Sequence, residues 1–383
     1  MANVRKHAAQ AGKIWKSLFI FVIETRVLSK ATLPFRTDLR VCNKLFHGAL
    51  WVTLALAGCT NRTSEVDISS TPLPPSVTFL RWNETLHDLE RIETLEDKLD
   101  ALMHADSAFW TTWCEGILRL GPAEDTASVA MLGDFERTMQ PMLEGIDSTS
   151  GSPESLQNAE RRMALAMRRM HVLMPDLALP RVVWMPSGFN FAVYPEADWL
   201  GVALEWFMGN EHPLLETLPP EKFPAYRLNR MRQEWMVSDA FRGWFAVQHQ
   251  GAMGTDRRTV DLMLFWGKVL HVTARCLPET SPAGLMNWTS EEWTWAMDQE
   301  RSIWRELQPQ DVLFNRNPRE VMRWFQEGPF TRAGAIPQDS PDRLGMFVGW
   351  RMVESFVRAN PGMSTADLMA QTNPDPFLRG YRP

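Results

Sequence analysis

The chain has 383 residues, of which 45% are hydrophobic and 22% are charged, and its formal net charge is −6. Residues 1–59 carry nine of the 40 Lys and Arg but only two of the 46 Asp and Glu, which leaves 31 basic and 44 acidic residues in the remainder. A net charge near −13 on that remainder argues against nucleic acid or anionic lipid headgroups as partners. Its roughly 320 residues are enough to bury a substantial core.

The first informative feature is Cys59, which ends the string Leu56-Ala57-Gly58-Cys59. An apolar run over residues 48–57 precedes it, and Arg40 and Lys44 precede the run. A basic flank, a short apolar run and small residues at the end are typical of a secretory signal peptide, and the run is shorter than the roughly 20 apolar residues of a membrane-spanning helix. The Cys after Ala-Gly matches the bacterial lipobox, in which the thiol is acylated and the chain is cut before it. We therefore predict lipidation at Cys59 and a signal peptide over 1–58; the alternatives are a signal peptide with an unrelated Cys and a short buried helix.

The segment before the apolar run exceeds 40 residues, which is long for a signal peptide. No Met lies between Met1 and Met103, so we expect translation to start near Leu39 or Val41 and residues 1–40 to be no part of the fold. Thr60, rather than Asp, follows the Cys. Under enterobacterial sorting rules this favours the outer membrane, with the lipid-anchored protein facing the periplasm.

Residues 59–76 are mostly polar and contain three prolines near their end, a composition that predicts a flexible tether. We assign one domain to residues 77–383. Helical periodicity predicts helices over 86–102, 108–119, 129–143, 153–170, 224–248, 255–276, 289–307, 318–324, 343–358 and 365–371. Ser340 and Ser364 are predicted N-caps, and residues 147–153 a loop.

Strand signals are confined to three short runs rich in Val, Trp, Phe and Tyr, at residues 181–185, 189–194 and 200–204. Pro186-Ser187-Gly188, between the first two, is typical of a tight turn. The sequence therefore predicts an α+β fold that is mostly helical, with a small, largely antiparallel sheet flanked by helices.

No stretch of the chain contains a recognised catalytic motif. His-Glu-x-x-His, Cys-x-x-Cys, Gly-x-Ser-x-Gly, a calcium-loop spacing and a Walker loop are all missing from the sequence. The acidic pair Glu291-Glu292 is better explained as the start of a helix, where acids favour the positive end of the dipole. We therefore predict no catalytic, cofactor-binding or metal-binding residue and no enzymatic activity. Cys114 and Cys276 could pair, but two buried thiols are favoured, and the 17 Trp and 22 Met indicate a densely filled core.

Several short strings in the second half of the chain occur in a distinctive order. They are Leu200-Gly201, Gly209-Asn210-Glu211-His212-Pro213, Phe223-Pro224, Gly267-Lys268-Val269-Leu270, residues 298–307 (DQERSIWREL), Phe330-Thr331 and residues 340–356 (SPDRLGMFVGWRMVESF). This order resembles the gliding motility lipoprotein GldB family of Bacteroidota. The resemblance covers about 181–383 and is weaker over 76–180, and Cys59 fits the family as well.

The resemblance implies a non-enzymatic cell-envelope lipoprotein that works with the gliding and type IX secretion apparatus, with other envelope proteins as partners. A more distant resemblance is to a family of predicted zinc proteases with a zincin-like fold, in which the helix after the sheet carries His-Glu-x-x-His. Here residues 237–244 of that helix contain no His. If the fold is shared, the metal site has been lost, and Asp239 and Arg242 could form a surface pair instead.

Gly345 and Gly349 lie one turn apart in a predicted helix, where each glycine costs about 1 kcal/mol relative to alanine. Such a cost is usually offset by something that packs close to the backbone. We expect a neighbouring helix of the same domain, and the alternative is a groove for a partner.

Two other function classes remain open. One is an unconventional metallopeptidase with scattered ligands such as His249, His271 and Glu205. The other is a glycan-binding envelope lipoprotein, which requires a row of tryptophans along one groove.

Overall fold

The structure is a computed structural model and describes residues 66–196, 198–253 and 257–383. The predicted signal peptide, Cys59 and the first part of the predicted tether lie outside these residues.

The described residues form four short strands, and most of the other elements are helices. The strands are β1 (Phe79–Arg81), β2 (Arg181–Met185), β3 (Val193–Pro195) and β4 (Trp199–Ala203). The helices before the main strands are α1 (Trp82–Leu89), α2 (Leu95–Thr111), α3 (Thr126–Thr138), α4 (Gln140–Ser148) and α5 (Pro153–Leu173), with a π-helical turn at Thr112–Leu118. Those after β4 are α6 (Ala225–Leu228), α7 (Met236–Gln248), α8 (Thr259–Cys276), α9 (Pro282–Leu285), α10 (Ser290–Asp298), α11 (Glu300–Leu307), α12 (Gln310–Leu313), α13 (Pro318–Met322), α14 (Leu344–Ala359), α15 (Thr365–Ala370) and α16 (Asp375–Gly380). The predicted α+β class with a small sheet flanked by helices is confirmed.

The sheet has the strand order β1-β2-β4-β3. The pairs β1–β2 and β2–β4 are parallel, and only β3–β4 is antiparallel. The sheet is therefore mixed, and the expectation of a largely antiparallel sheet is wrong. Five helices separate β1 from β2, so the chain returns in the same direction, and β3 pairs with β4 rather than forming a hairpin with β2.

The two faces of the sheet support two layers of helices. Alternate residues of a strand point to opposite faces: Val182 and Trp184 enter the larger core, while Val183 and Met185 enter the smaller one. The larger core is built with α4, α5, α7, α8 and α14, and the smaller with α1, α2 and α3. This arrangement places α3 and α5 on opposite sides of the sheet.

The predicted N-caps and helix bounds agree with the structure at some helix ends and differ from it at others. Ser364 caps α15 by accepting a hydrogen bond from the Asp367 amide at 3.1 Å, as predicted. Ser340 does not cap α14, because that helix starts only at Leu344, after Arg343 with φ 56°. The predicted helix over 224–248 is also interrupted, since the chain is helical at α6 and then again only from residue 233.

The acidic pair at the start of α10 takes the expected structural role. The Glu292 carboxylate accepts from the Thr289 amide at 2.8 Å, and the Glu292 amide donates to the Thr289 hydroxyl at 3.2 Å. These two reciprocal hydrogen bonds form a capping box, which gives Glu292 a structural role at the start of α10.

Helices α8 and α14 cross at two glycines. A Cβ on Gly349 would lie 2.6 Å from the Met263 carbonyl carbon and nearer still to its oxygen, and a Cβ on Gly267 would lie 2.9 Å from the Trp350 nitrogen. The backbones therefore touch, and the expectation of a neighbouring helix is confirmed for Gly349. A Cβ on Gly345 would instead lie 2.9 Å from the Trp324 carbonyl oxygen and the Phe325 ring, which lie outside the helices.

Candidate functional site

A set of charged side chains is buried between α7, the turn after α9 and the start of α14. We call it the arginine cluster. It consists of three guanidiniums and two carboxylates, with Arg230, Asp239, Arg242, Asp342 and Arg343 as its members.

Asp342 is the centre of the arginine cluster and is fully buried. Its Oδ1 accepts from Arg343 Nε at 3.0 Å and from Trp288 Nε1 at 3.1 Å, and lies 3.1 Å from Arg230 Nη2. Its Oδ2 accepts from the Gly328 amide at 3.0 Å. Burial by itself would raise the pKa of Asp342, but the charges of Arg343 and Arg230 and these hydrogen bonds outweigh it and hold that pKa below its usual value. Asp342 is therefore ionised and holds the Arg230 and Arg343 side chains in place.

The second carboxylate, Asp239, forms the predicted pair with Arg242 one turn along α7. The pair is not on the helix surface, however, since the Arg242 side chain is only 3% exposed. Asn287 donates from Nδ2 to both oxygens of Asp239 at 2.7 Å. The segment 237–244 of α7 thus carries a buried ion pair.

Three successive backbone carbonyls explain the number of arginines. Arg242 donates to the carbonyl of residue 285, Arg343 to that of 286 at 2.7 Å, and Arg230 to that of 287. Asn287 has φ 54°, so the turn is held in a left-handed conformation that L-residues rarely adopt. The guanidiniums compensate buried carbonyls that the turn leaves without helical donors. The cluster therefore fixes the 285–288 turn to α7 and α14.

A second buried carboxylate, Glu205, lies at the carboxyl ends of the adjacent parallel strands β2 and β4. Its Oε1 accepts from the Ser187 amide at 2.8 Å, the Ser187 hydroxyl at 2.5 Å and the Phe189 amide at 2.8 Å. Gly188 and Phe189 have φ 64° and 61°. Burial raises the pKa of Glu205 above its usual value, against the lowering effect of these donors. Glu205 holds the predicted turn at 186–188 together.

The histidines of the metallopeptidase hypothesis are in other places. His249 Nδ1 lies 3.1 Å from the Phe245 carbonyl oxygen, at the end of α7. His271 Nδ1 on α8 lies 2.7 Å from Glu354 Oε1, which also accepts from Trp350 Nε1 at 3.1 Å. Over residues 66–196, 198–253 and 257–383, no group of three or more His, Cys, Asp or Glu could hold a metal ion. The structure thus does not bring His249, His271 and Glu205 together.

The remaining sequence candidates are part of the core. Cys114 and Cys276 are buried free thiols, as favoured from their contexts, and burial raises the pKa of Cys114 to about 11. Every tryptophan of the described part of the chain is buried or half-buried. The exposed row that glycan binding requires is therefore not formed by these residues.

An open polar groove of about 880 Å³ lies between the start of α5 and residues 233–237. Its lining includes Ser152, Ser155, Asn158 and Arg162, and it contains no aromatic side chain. A sugar ring would find hydrogen-bonding partners there but no stacking surface.

Sequence reasoning found one pair of the arginine cluster, because Asp239 and Arg242 are three residues apart on one helix. It missed Arg230, and it did not connect Asp342 with that pair, because these residues meet only in the folded chain. The available signal was the Asp342-Arg343 dipeptide within the string at 340–356.

The charged side chains of the arginine cluster pair with one another in a mostly helical domain. For a protein of this kind, sequence relationship is the better guide to function. A sequence model described as gliding motility protein GldB matches residues 61–383. The chain belongs to this GldB family. No curated protein and no solved structure matches it. Among the described residues, no helix is both long enough and apolar enough to cross a membrane.

Proposed function

We propose that this GldB-family protein is a non-enzymatic lipoprotein of the cell envelope that acts in gliding motility together with the type IX secretion apparatus. Acyl chains on Cys59 anchor it to a membrane, with the outer membrane favoured. The helical domain is then presented to other envelope proteins. The family match over residues 61–383 carries the proposal, and the lipid anchor rests on the lipobox string at residues 56–59.

The interior of the domain supports a scaffold role. The guanidiniums of the arginine cluster are bound to carboxylates and to backbone carbonyls, and Glu205 binds two amides and a hydroxyl of one loop. These contacts fix the 285–288 turn and the loop at 187–189 in the domain interior. A rigid surface is what a protein-binding component needs.

The anchor is tested by complementation of a deletion strain with wild-type protein, Cys59→Ala and the control Cys42→Ala. Cys42 lies in the same leader but outside the lipobox. We expect Cys59→Ala to lose incorporation of a palmitate analogue, membrane retention and colony spreading, whereas Cys42→Ala keeps all three. Incorporation that persists in Cys59→Ala contradicts lipidation at that residue.

The role in the apparatus is tested in the deletion strain itself. We expect loss of colony spreading and reduced export of type IX cargo. Normal spreading and export would contradict it. Metal analysis of the purified protein separates this proposal from the metallopeptidase alternative, because stoichiometric zinc would favour the enzyme.

A further inference from the structure

The long helix α5 has one side that faces away from the core. Its buried residues, including Met163, Met167 and Met170, enter the larger core. Residues 161, 165, 168 and 172 follow each other at intervals of three or four and lie on the opposite side. Arg161 is exposed, and Val172 is 40% exposed. We call the side formed by 161, 165, 168 and 172 the α5 stripe.

The N-terminal described segment, residues 66–77, is fastened across this stripe, and we call it the strap. Arg168 donates from Nε to the Thr71 carbonyl and from Nη2 to the Ile68 carbonyl, both at 2.6 Å. Val66 and Val77, at the two ends of the strap, are 6% and 4% exposed. A two-pronged guanidinium contact and two buried ends fix the path of the strap on α5.

The strap leaves little chain between the domain and the lipid. Only residues 60–65 separate Cys59 from Val66. Seven Cα-to-Cα steps of at most about 3.6 Å span about 25 Å at full extension. This is less than the roughly 30 Å thickness of the hydrocarbon core of a bilayer. The point at which the strap begins on the domain therefore cannot stand off from the membrane surface by more than about 25 Å.

The charges of the α5 stripe suit a phospholipid surface. Arg161 bonds the Asn158 side-chain oxygen at 3.1 Å, and Arg168 bonds two backbone carbonyls. Arg162 and Arg169, off the stripe, instead lie 3.7 and 3.6 Å from Glu279. The stripe thus presents the exposed Arg161 guanidinium, for which the described residues show no carboxylate partner, while Arg168 holds the strap. Guanidiniums bind phosphate oxygens well, and an exposed valine beside them can enter the headgroup region.

We propose that the α5 stripe rests on the phospholipid headgroups of the anchoring membrane, and that the strap sets this orientation of the domain. The inference rests on the lipid anchor of the proposed function. It adds a membrane-contacting face, and it directs the opposite layer, formed by α1, α2 and α3, towards protein partners.

The test uses the full-length lipidated protein reconstituted in vesicles of neutral phospholipid that contain a nickel-chelating lipid. A fluorophore is attached at Val172→Cys or, as the matched control, at Met131→Cys. Met131 is 48% exposed on α3, on the other side of the sheet. Cys114 and Cys276 do not compete for the label, because both are buried and burial raises the pKa of each thiol. Cys42 leaves with the signal peptide and the Cys59 thiol is acylated, so neither takes the label.

We expect nickel headgroups to quench the label at residue 172 more strongly than the label at 131. A Gly/Ser insertion after Arg62, which lengthens the link without touching the domain, is expected to reduce that difference. Arg168→Ala, which releases the strap, is expected to reduce it as well. Equal quenching at the two positions, or stronger quenching at 131, overturns the proposal. A difference that the insertion leaves unchanged overturns the role of the strap.

Flotation of the same vesicles keeps the two proposals apart. Protein that does not float with the vesicles contradicts the lipid anchor itself. Protein that floats but shows no preference for residue 172 contradicts only the membrane-facing α5 stripe.

Discussion

Gly349→Ala tests the crossing of α8 and α14. Two opposing effects decide the sign of the change in stability that it causes. Gly349→Ala removes a helical glycine, which by propensity alone stabilises the protein by about 1 kcal/mol. The new Cβ, however, would lie 2.6 Å from the Met263 carbonyl carbon and 2.9 Å from the Met263 Cα. Ordinary contact needs 3.4–4 Å, and the Met263 carbonyl oxygen is nearer than its carbon, so the two helices must move apart by more than an ångström.

The opposing atoms are backbone and cannot rotate away, so the cost falls at the upper end of the roughly 1–3 kcal/mol of overpacking. After subtraction of the propensity gain, we expect a net loss of about 2 kcal/mol. The domain over residues 77–383 has 307 residues. At about 2.1 cal/mol/K of unfolding entropy per residue, this loss corresponds to a fall in Tm of roughly 3 °C. Thermal unfolding followed by tryptophan fluorescence measures it.

The matched control is Gly380→Ala at the end of α16, where a Cβ would meet nothing within 4 Å. The same substitution is expected to leave Tm unchanged or slightly raised there. A Gly349→Ala protein as stable as the wild type would refute the close contact of the two helices.

Three further changes test buried polar groups, each by thermal unfolding. Asp342→Asn leaves two buried guanidiniums short of a charge and should cost about 3–5 kcal/mol, against at most about 1 kcal/mol for Asp134→Asn at an exposed pair. Folding lowers the pKa of Asp342, so its contribution to the free energy of unfolding is present above its unfolded-state pKa near 3.9 and is lost on acidification. A stability difference between wild type and Asp342→Asn that stays constant down to pH 2 would refute this contribution. Burial lowers the pKa of Lys268 to about 8; relative to Lys268→Met, the wild type should gain stability as pH rises from about 8 towards 10.4, and a flat difference contradicts this. Glu205→Leu removes the acceptor of two amides and should cost at least 1–3 kcal/mol, more than Glu205→Gln, and equal losses would refute the loop contacts.

The elements that could be predicted are those whose signal is local. β2 was predicted with its bounds, because Val, Val and Trp in succession favour a strand. The capping residues Thr289 and Ser364 lie three residues before their partners, so neighbouring residues decide those helix starts. The close approach at Gly349 could be expected from the cost of a helical glycine, although its contact with α8 could not.

What the sequence alone did not reveal depends on contacts between distant segments. β1 has only three residues, and its pairing partner follows five helices later. β2 and β4 are also parallel, although β3 lies between them in the chain and pairs only with β4, so the order of the strand signals did not indicate the direction of pairing. Arg230 joins the arginine cluster from a break in the predicted helix over 224–248, and no local pattern indicates that its partner is Asp342.

The strap is a further contact between distant segments, since its residues 68 and 71 bond Arg168 of α5. Composition predicted a flexible segment up to residue 76, because polar and proline-rich chain has little to bury. The described strap, residues 66–77, is held by its own buried Val66 and Val77 and by Arg168 of α5. Such a contact depends on the surface that a helix presents after folding.

The central claim, anchoring through one acylated thiol, is tested most directly by mass spectrometry of the protein extracted from native membranes. Trypsin cuts after Arg62, so the expected N-terminal peptide is Cys59–Arg62 with the mass of a diacylglyceryl group on the Cys and no residue before it. Recovery of that peptide with an unmodified Cys59, or of peptides that run continuously through residues 56–62, would contradict the account.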